Sequence, residues 1–151
     1  MLMDPRKNTS EQTEDEPRRQ VGALVWRIED GVLQMLLITS RDTGRFVIPK
    51  GWPMKGLSDA KAAEREVFEE AGVTGKIGKT PIGDYSYSKI FGPGFALPCL
   101  VHVYAMEARR LLSKWPEKAE RKRHWMSLDK AARAVHEPEL RDLIDEFVPV
   151  L

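Results

Sequence analysis

The chain has 151 residues, the size of one globular domain, and its 24 Lys and Arg against 23 Asp and Glu give a formal net charge of +1. This near-balance gives no reason to expect nucleic acid or a membrane surface as a partner. Cys99 is the only cysteine, so the chain can form neither an internal disulfide nor a cysteine-based zinc site. A single cysteine and the lack of an apolar run near the ~18 residues of a membrane span predict a cytoplasmic protein.

The first part of the chain predicts a tail followed by a hairpin. Residues 1–17 are polar, charged and interrupted by proline, and we expect them to be a disordered N-terminal tail ahead of one domain over residues 18–151. Two apolar runs, 21–28 and 32–39, flank Asp30-Gly31, a dipeptide preferred in tight hairpin turns. Because both runs are apolar at nearly every position, both faces of these strands are expected to be covered.

A short strand and a helix follow. The stretch "RFVIPKG" (45–51) predicts a third strand that ends in a Pro/Gly loop. A helix is predicted from Asp59 to Ala71, because Ser58 is a suitable N-cap and Gly72 is a stop signal.

The remaining half predicts more strands and then two helices. Strands are expected near 75–80, 83–91 and 99–108, and "FGPGFALP" (91–98) is expected to break the middle one as a loop near the site. A last strand is expected in "RKRHWMSL" (121–128), with helices over 128–135 and 138–147. The predicted fold class is α/β (α+β), with a mixed β-sheet between α-helices.

The predicted helix carries clustered glutamates in "AAEREVFEEAGV" (62–73). Glu66, Glu69 and Glu70 fall within one arc of the helix surface, beside a face of small apolar residues that can pack on a sheet. Two interpretations fit this pattern: a solvated acidic face, or oxygens that hold a hard divalent cation such as Mg²⁺ or Mn²⁺. Such an ion would cancel the repulsion, neutralise a pyrophosphate and polarise a water, whose proton a neighbouring carboxylate could accept.

The wider context favours the cation. From Gly51 the chain reads "GWPMKGLSDAKAAEREVFEEAGV". This resembles the Nudix box of the Nudix hydrolase family, which is G, five residues, E, seven residues, then R-E-U-x-E-E-x-G-U with U apolar. The positions that match in register are Gly51, Arg65, Glu66, Val67, Glu69, Glu70, Gly72 and Val73. The resemblance implies the Nudix fold, in which the box forms a loop, a helix and a second loop.

One box position departs from the pattern, because Leu57 stands where the first box glutamate is expected. In the family that residue supports the box loop and the arginine, and in some members it takes part in metal binding or catalysis. Asp59 is one candidate to substitute for it. Alternatively, Leu57 is a hydrophobic staple in front of the Ser58 cap.

The resemblance also implies roles for individual residues. Carried onto this sequence, Glu66, Glu70 and the backbone carbonyl of Lys50 are the expected metal ligands, with Mg²⁺ as the expected ion and Mn²⁺ as the alternative. Glu69 is the expected general base. Arg65 is expected to hold neighbouring carboxylates by charge-assisted hydrogen bonds.

Within the family, three stretches are similar to the diphosphoinositol polyphosphate phosphohydrolase group, which also cleaves diadenosine polyphosphates. They are "RRQVGALVW", "ITSRDTGRFVIPKG" and "WPEKAERKRHWMSLDKA". The residues that this similarity assigns to the substrate's phosphates are Arg18, Arg19, Arg41 and Arg121. Gln20 replaces a basic residue of that group, and "PKGW" replaces a loop richer in glycine.

The expected function is therefore metal-dependent hydrolysis of a P–O–P linkage in a small phosphorylated substrate, by a monomer or homodimer. The alternatives are a house-cleaning nucleoside triphosphate pyrophosphohydrolase and a catalytically silent Nudix-fold module that binds a nucleotide or polyphosphate. Cys99 and His102 are expected to be structural. The aromatic residues Trp52, Tyr85, Tyr87 and Phe91 are either packing residues or candidates for stacking on a base.

Overall fold

The computed structural model describes residues 16–150. Residues 1–15 of the predicted N-terminal tail lie outside the described residues. Eight strands and three helices are formed within that range. In chain order they are β1 (Arg18–Glu29), β2 (Val32–Thr39), β3 (Phe46–Val47), β4 (Lys50–Gly51), α1 (Asp59–Ala71), β5 (Val73–Ile77), β6 (Gly83–Gly92), β7 (Phe95–Leu111), β8 (Arg123–Ser127), α2 (Leu128–Ala134) and α3 (Pro138–Asp145).

The strands form one mixed sheet around β1. β1 pairs antiparallel with β2 and β4 and parallel with β7. β2 also pairs with β3 and β8, while β5 and β6 pair with successive parts of the long strand β7. The mixed sheet with helices confirms the predicted α/β class.

Helices cover both faces of this sheet and build a core on each. On one face, Val67 and Ala71 of α1 pack against Ala23 and Val25 of β1. On the other face, α2 and α3 pack against Leu24 and its neighbours. Residues 20 to 26 of β1 are therefore buried at every position, as its continuous apolar run predicted.

The local signals for the first hairpin and for α1 are confirmed. Asp30 (φ 53°) and Gly31 (φ 80°) both adopt the left-handed conformation that tight hairpin turns require. Ser58 caps α1 by accepting a hydrogen bond from the Lys61 amide at 3.2 Å. Gly72 ends the helix with φ 67°.

Two predicted features differ in the structure. The short strand predicted within 45–51 is β3, but part of the Pro/Gly loop predicted to end it forms a further strand, β4, because the backbone leaves β2 after residue 47 and joins β1 at residue 50. Pro49 lies between them, where its missing amide removes no sheet hydrogen bond. The loop predicted over 91–98 was wrong: β6 and β7 continue to a tight turn in which Gly94 takes φ 73°.

Gly72 and Gly31 allow a matched test of how α1 ends, because both have positive φ. A Cβ at Gly31 would meet no atom within 4 Å, whereas one at Gly72 would collide with the Trp115 ring. Gly31→Ala should lower the free energy of unfolding by about 1–2 kcal/mol through backbone strain. Gly72→Ala should lower it by about 1–3 kcal/mol more through overpacking. Urea denaturation measures both, and equal losses would show that Trp115 does not constrain this position.

Candidate active site

Two glutamates of α1 lie against the backbone of β4. A Cβ at Gly51 would collide with the Glu66 carboxylate, so only glycine allows this approach. The Lys50 amide points at Glu70 and donates to its Oε1 at 3.3 Å. The carboxylates predicted to be metal ligands therefore meet the strand that carries the predicted backbone ligand.

Glu66 and Glu70 are neighbouring carboxyl groups whose pKa values are both raised. Their carboxyl groups are within hydrogen-bonding reach of each other, and Glu70 is only 6% exposed. Burial raises the pKa of Glu70 to about 8, in spite of the attraction of Arg121, and the neighbouring Glu66 adds to the shift. Burial raises the pKa of Glu66 as well. Without a cation, the pair therefore retains a proton near neutral pH.

Glu69 lies beside this pair but has a different hydrogen-bond partner. The Arg65 Nε donates to Glu69 Oε2 at 3.0 Å, one helical turn away. The structure thus places the predicted base in contact with the predicted supporting arginine, on the more exposed side of the cluster.

The segment between β7 and β8 fastens the C-terminal end of α1. The Trp115 Nε1 donates to the Glu70 carbonyl at 3.2 Å, and the Glu117 amide donates to the Glu69 carbonyl at 3.0 Å. One guanidinium nitrogen of Arg123 donates to the carbonyls of Ala71 at 2.9 Å and Gly72 at 3.1 Å. These donors satisfy carbonyls that the end of a helix leaves without partners.

The same segment brings Arg121 and Glu117 to the cluster. The Arg121 side chain is 11% exposed, and its Nη2 lies 3.7 Å from Glu70 Oε2. Its Nε donates to Glu117 Oε1 at 2.7 Å, and its Nη1 donates to the Thr39 carbonyl at 3.3 Å. Sequence analysis missed Glu117, because it lies in a charged surface-like run with no local pattern that connects it to α1.

The two predicted arginines of β1 lie on opposite faces of the strand. Arg19 forms an ion pair with Asp59 in the first turn of α1, about 16 Å along the helix from Glu70. Arg18 precedes Arg19 on β1, so its side chain lies on the opposite face, the one that also carries Gln20. Arg18 is paired with Cys99 of β7. The structure therefore does not bring Arg19 together with the glutamate cluster.

Arg41 lies at the outer rim of the cluster. It forms an exposed ion pair with Glu120 at 2.9 Å, and the charge of Glu117 also acts on it. Of the four arginines predicted to bind phosphates, Arg121 is the one that lies next to Glu70. Arg41 lies farther out, next to Glu120. Arg18 lies on the same face of the sheet as Gln20.

The Lys50 side chain is a site residue that sequence analysis used only through its carbonyl. Its ammonium lies 4.6 Å from the centre of the Tyr87 ring, whose hydroxyl donates to Gln20 Oε1 at 2.6 Å. Burial lowers the pKa of Lys50, against the attraction of Glu70 and with further lowering by the Lys89 charge. Lys50 therefore connects the glutamates, through its backbone amide, with Gln20 and Tyr87, which lie near its ammonium group.

Residues 16–147 match the NUDIX domain family. The chain belongs to the Nudix family. Nudix hydrolase 18, mitochondrial, of Arabidopsis thaliana is 32% identical over 155 residues, covering 95% of this chain and 84% of that one. Diphosphoinositol polyphosphate phosphohydrolase 3-beta of Homo sapiens is 29% identical, covering 86% and 77%. Nudix hydrolase 13, mitochondrial, of A. thaliana is 30% identical and covers 79% of this chain, which spans 61% of that relative's length.

Solved structures show the same fold at lower identity. A C. elegans Ap4A hydrolase superposes with a TM-score of 0.64 at 20% identity, covering 86% of this chain and 95% of that one. The NUDIX domain of Shewanella oneidensis NrtR, complexed with ADP ribose, superposes with a TM-score of 0.67 at 15% identity, covering 95% and 90%. No helix within residues 16–150 is long and apolar enough to span a membrane.

Nudix hydrolases generally use divalent metal ions, and the residues present fit such an ion by their chemistry. Among residues 16–150, no three Asp, Glu, His or Cys side chains converge closely enough to hold a metal ion. Two carboxylates do converge, and hard cations readily complete their shells with backbone carbonyls and water. The Glu66–Glu70 pair retains a proton that a bound cation would displace.

The altered box position leaves Arg65 without its usual acidic neighbour. Leu57 is 43% exposed and lines a cavity of about 300 Å³ together with Arg65. Asp59, the candidate to substitute for the glutamate, forms an ion pair with Arg19. The interpretation of Leu57 as a hydrophobic staple stays a prediction. In this chain Arg65 pairs with Glu69.

The raised pKa of Glu70 predicts how the metal-free protein responds to pH. Its folded pKa of about 8 exceeds the ordinary value of 4.5, so its contribution to stability is complete below pH 4.5 and is lost as pH rises through 8. In EDTA, the melting temperature of the natural chain should therefore fall, relative to that of Glu70→Gln, between pH 5 and pH 8.5. Parallel curves for the two proteins, measured by circular dichroism, would contradict a raised pKa.

Proposed function

We propose that this chain is a metal-dependent pyrophosphohydrolase. Its substrate would be a nucleoside-diphosphate-linked or highly phosphorylated molecule, such as a diadenosine polyphosphate or a diphosphoinositol polyphosphate. The observation that carries the proposal is the pair of half-buried Glu66 and buried Glu70 against β4, with Glu69 on the same helix and Arg121 Nη2 3.7 Å from Glu70 Oε2. The names of the relatives, which include a diphosphoinositol polyphosphate phosphohydrolase, support the substrate classes.

Glu66, Glu70 and the Lys50 carbonyl are the proposed metal ligands, and Mg²⁺, or Mn²⁺ in its place, is the proposed ion. When bound, the ion would neutralise pyrophosphate charge and make a bound water more acidic. The burial of Glu70 beside the half-buried Glu66 suits this role, because a proton or a cation relieves the repulsion between their carboxylates.

In the proposed reaction, Glu69 accepts the proton of the attacking water. The water oxygen forms a bond to one phosphorus, the bridging P–O bond breaks, and its electron pair leaves with the second phosphate group. The Arg65 Nε donates to Glu69 Oε2 at 3.0 Å, and this charge-assisted hydrogen bond would fix the orientation of the base. A base held at such a position contributes about 10²- to 10⁴-fold to a hydrolytic rate.

The cations near the cluster define where the phosphates would bind. Arg121 and Lys50 are close enough to Glu70 to affect its pKa, and Arg18 and Lys89 affect that of Cys99 on the neighbouring part of the sheet. A linear polyphosphate needs several cations in a row, which this face supplies. Arg19 is not included in this proposal because it pairs with Asp59. The cytoplasmic location stays a prediction, and several relatives are named as mitochondrial.

The proposal is tested by neutral substitutions in α1. Glu69→Gln and Glu70→Gln should each lower turnover by about 10²-fold or more, because they remove the base and a metal ligand. Glu64→Gln is the matched control, since Glu64 lies on the same helix and pairs with Lys61 at 3.3 Å. The hydrolysis products would be separated and measured with Mg²⁺, Mn²⁺ or EDTA on diadenosine polyphosphates, a diphosphoinositol polyphosphate and nucleoside triphosphates. Full activity in both variants would refute the assignment.

Leu57, which stands where the box pattern has a glutamate, favours a second candidate function, a catalytically silent binding module. A substitution at this position distinguishes the enzyme from the binding module. A carboxylate introduced by Leu57→Glu would compete with Glu69 for Arg65, because both positions line one cavity. If the chain is an enzyme, weakening the Arg65 hydrogen bond that orients Glu69 should lower kcat about two- to tenfold, because one such bond is worth about 0.5–1.5 kcal/mol. Leu57→Gln, which adds no charge, is the control. Turnover that is absent in the natural chain and present only in Leu57→Glu would support the binding module.

A further inference from the structure

The ends of β6 and β7 project beyond the rest of the sheet as a two-stranded arm, residues 88–98. Pairing between β1 and β7 begins at Arg18 and Cys99, so the residues of β7 before Cys99 pair only with β6 among the described strands. The arm contains no charged residue other than Lys89. The arm is a β-hairpin paired up to Gly92 and Phe95, whereas sequence analysis predicted a loop over 91–98.

The arm exposes large apolar side chains. Ile90 is 62% exposed, Phe91 48% and Phe95 56%. The two phenyl rings contact each other, with centroids 5.9 Å apart. Aromatic rings clustered on a projecting element, without a covering layer, are typical of a surface that binds a partner or ligand.

A row of contacts connects these rings to the candidate active site. The Lys89 ammonium lies 5.6 Å from the centre of the Phe91 ring, and the Lys50 ammonium lies 4.6 Å from that of Tyr87. Tyr87 and Lys89 are two residues apart on β6, so their side chains lie on the same face of the strand. The row therefore runs from Glu70, through two lysines, to two exposed phenyl rings.

The size of this row suits one extended ligand. Tyr87 and Phe91 are about 13 Å apart along β6, at the rise of a β-strand. The lysines lie between the glutamates and the phenyl rings, which is the order of metal, phosphates and base along a metal-bound nucleotide. An inositol ring, which carries hydroxyl and phosphate groups, has no comparable apolar surface to cover the phenyl rings.

We propose that the arm binds the nucleobase of the substrate, with Phe91 and Phe95 against its planar face and Lys89 and Lys50 toward its phosphates. This inference rests on the proposed function and narrows it, because the preferred substrate then carries a base. Base–aromatic contacts tolerate different bases, since every base has a π-face. The arm would therefore select nucleotides as a class and discriminate weakly among bases.

The test compares a substrate that has bases with one that has none. Phe91→Ala should raise KM for diadenosine tetraphosphate about tenfold, in the range measured for loss of one stacking ring, and leave kcat unchanged. KM for a diphosphoinositol polyphosphate should not change. Phe91→Tyr, which keeps a planar ring, should retain the natural KM. Ile90→Ala is the matched control, because it removes an equally exposed apolar side chain from the arm without removing a ring.

Two results would overturn the inference. One is an equal change, or no change, in KM for both substrates. The other is an unchanged KM with a shift in sedimentation coefficient for Phe91→Ala, which would assign the arm to contacts between copies of the chain.

A failure of the proposed function can be distinguished from a failure of this inference. If the natural chain hydrolyses neither substrate, titration calorimetry with ADP and with inorganic pyrophosphate replaces the kinetic readout. Weaker binding of ADP alone by Phe91→Ala would then support the arm as a base site. Equal effects on ADP and pyrophosphate would overturn it.

Discussion

The structure depends on the close approach of two carboxyl groups, the buried one of Glu70 and the half-buried one of Glu66, to a strand backbone. The Glu66 carboxylate occupies the space that a Cβ at Gly51 would take, and Glu70 accepts a hydrogen bond from the Lys50 amide. Like charges in such a place are unfavourable, and the chain relieves this with a proton and a nearby guanidinium from Arg121. Burying an ionisable group at this point of α1 is unfavourable for folding, and such perturbed groups are common at functional sites.

The surrounding elements hold this arrangement in place. The small apolar face of α1 fixes its distance from the sheet, and the β7–β8 segment fixes its C-terminal end through Trp115 and Arg123. The Arg123 guanidinium also stacks 4.2 Å from the Trp115 ring centre. A segment far along the sequence thus determines where the last turn of the helix presents its glutamates.

Local signals were enough to predict α1, its caps, the first hairpin and the glutamate cluster, because each depends on residues within a few positions of one another. The contributions of Glu117 and the Lys50 ammonium were not predictable, because they follow from contacts between residues far apart in sequence. Glu117 contacts Glu69, 48 positions away, and the Lys50 ammonium contacts Tyr87, 37 positions away. Arg19 shows the same limit. One step along β1 moves a side chain to the other face of the sheet, and the basic pair "RR" does not show which arginine faces the site.

The parallel pairing of β1 with β7 has a consequence for the order in which the molecule assembles. Arg18 lies opposite Cys99, whereas β1, β2, β4 and α1 come together within the first half of the chain. Contacts of high sequence separation form slowly, because a long loop must close first. The glutamate-bearing unit can therefore collapse early, while the buried strand at its centre keeps one edge open until β7 has been synthesised. During that interval the nascent chain exposes an apolar strand with an unpaired edge, a feature that favours aggregation.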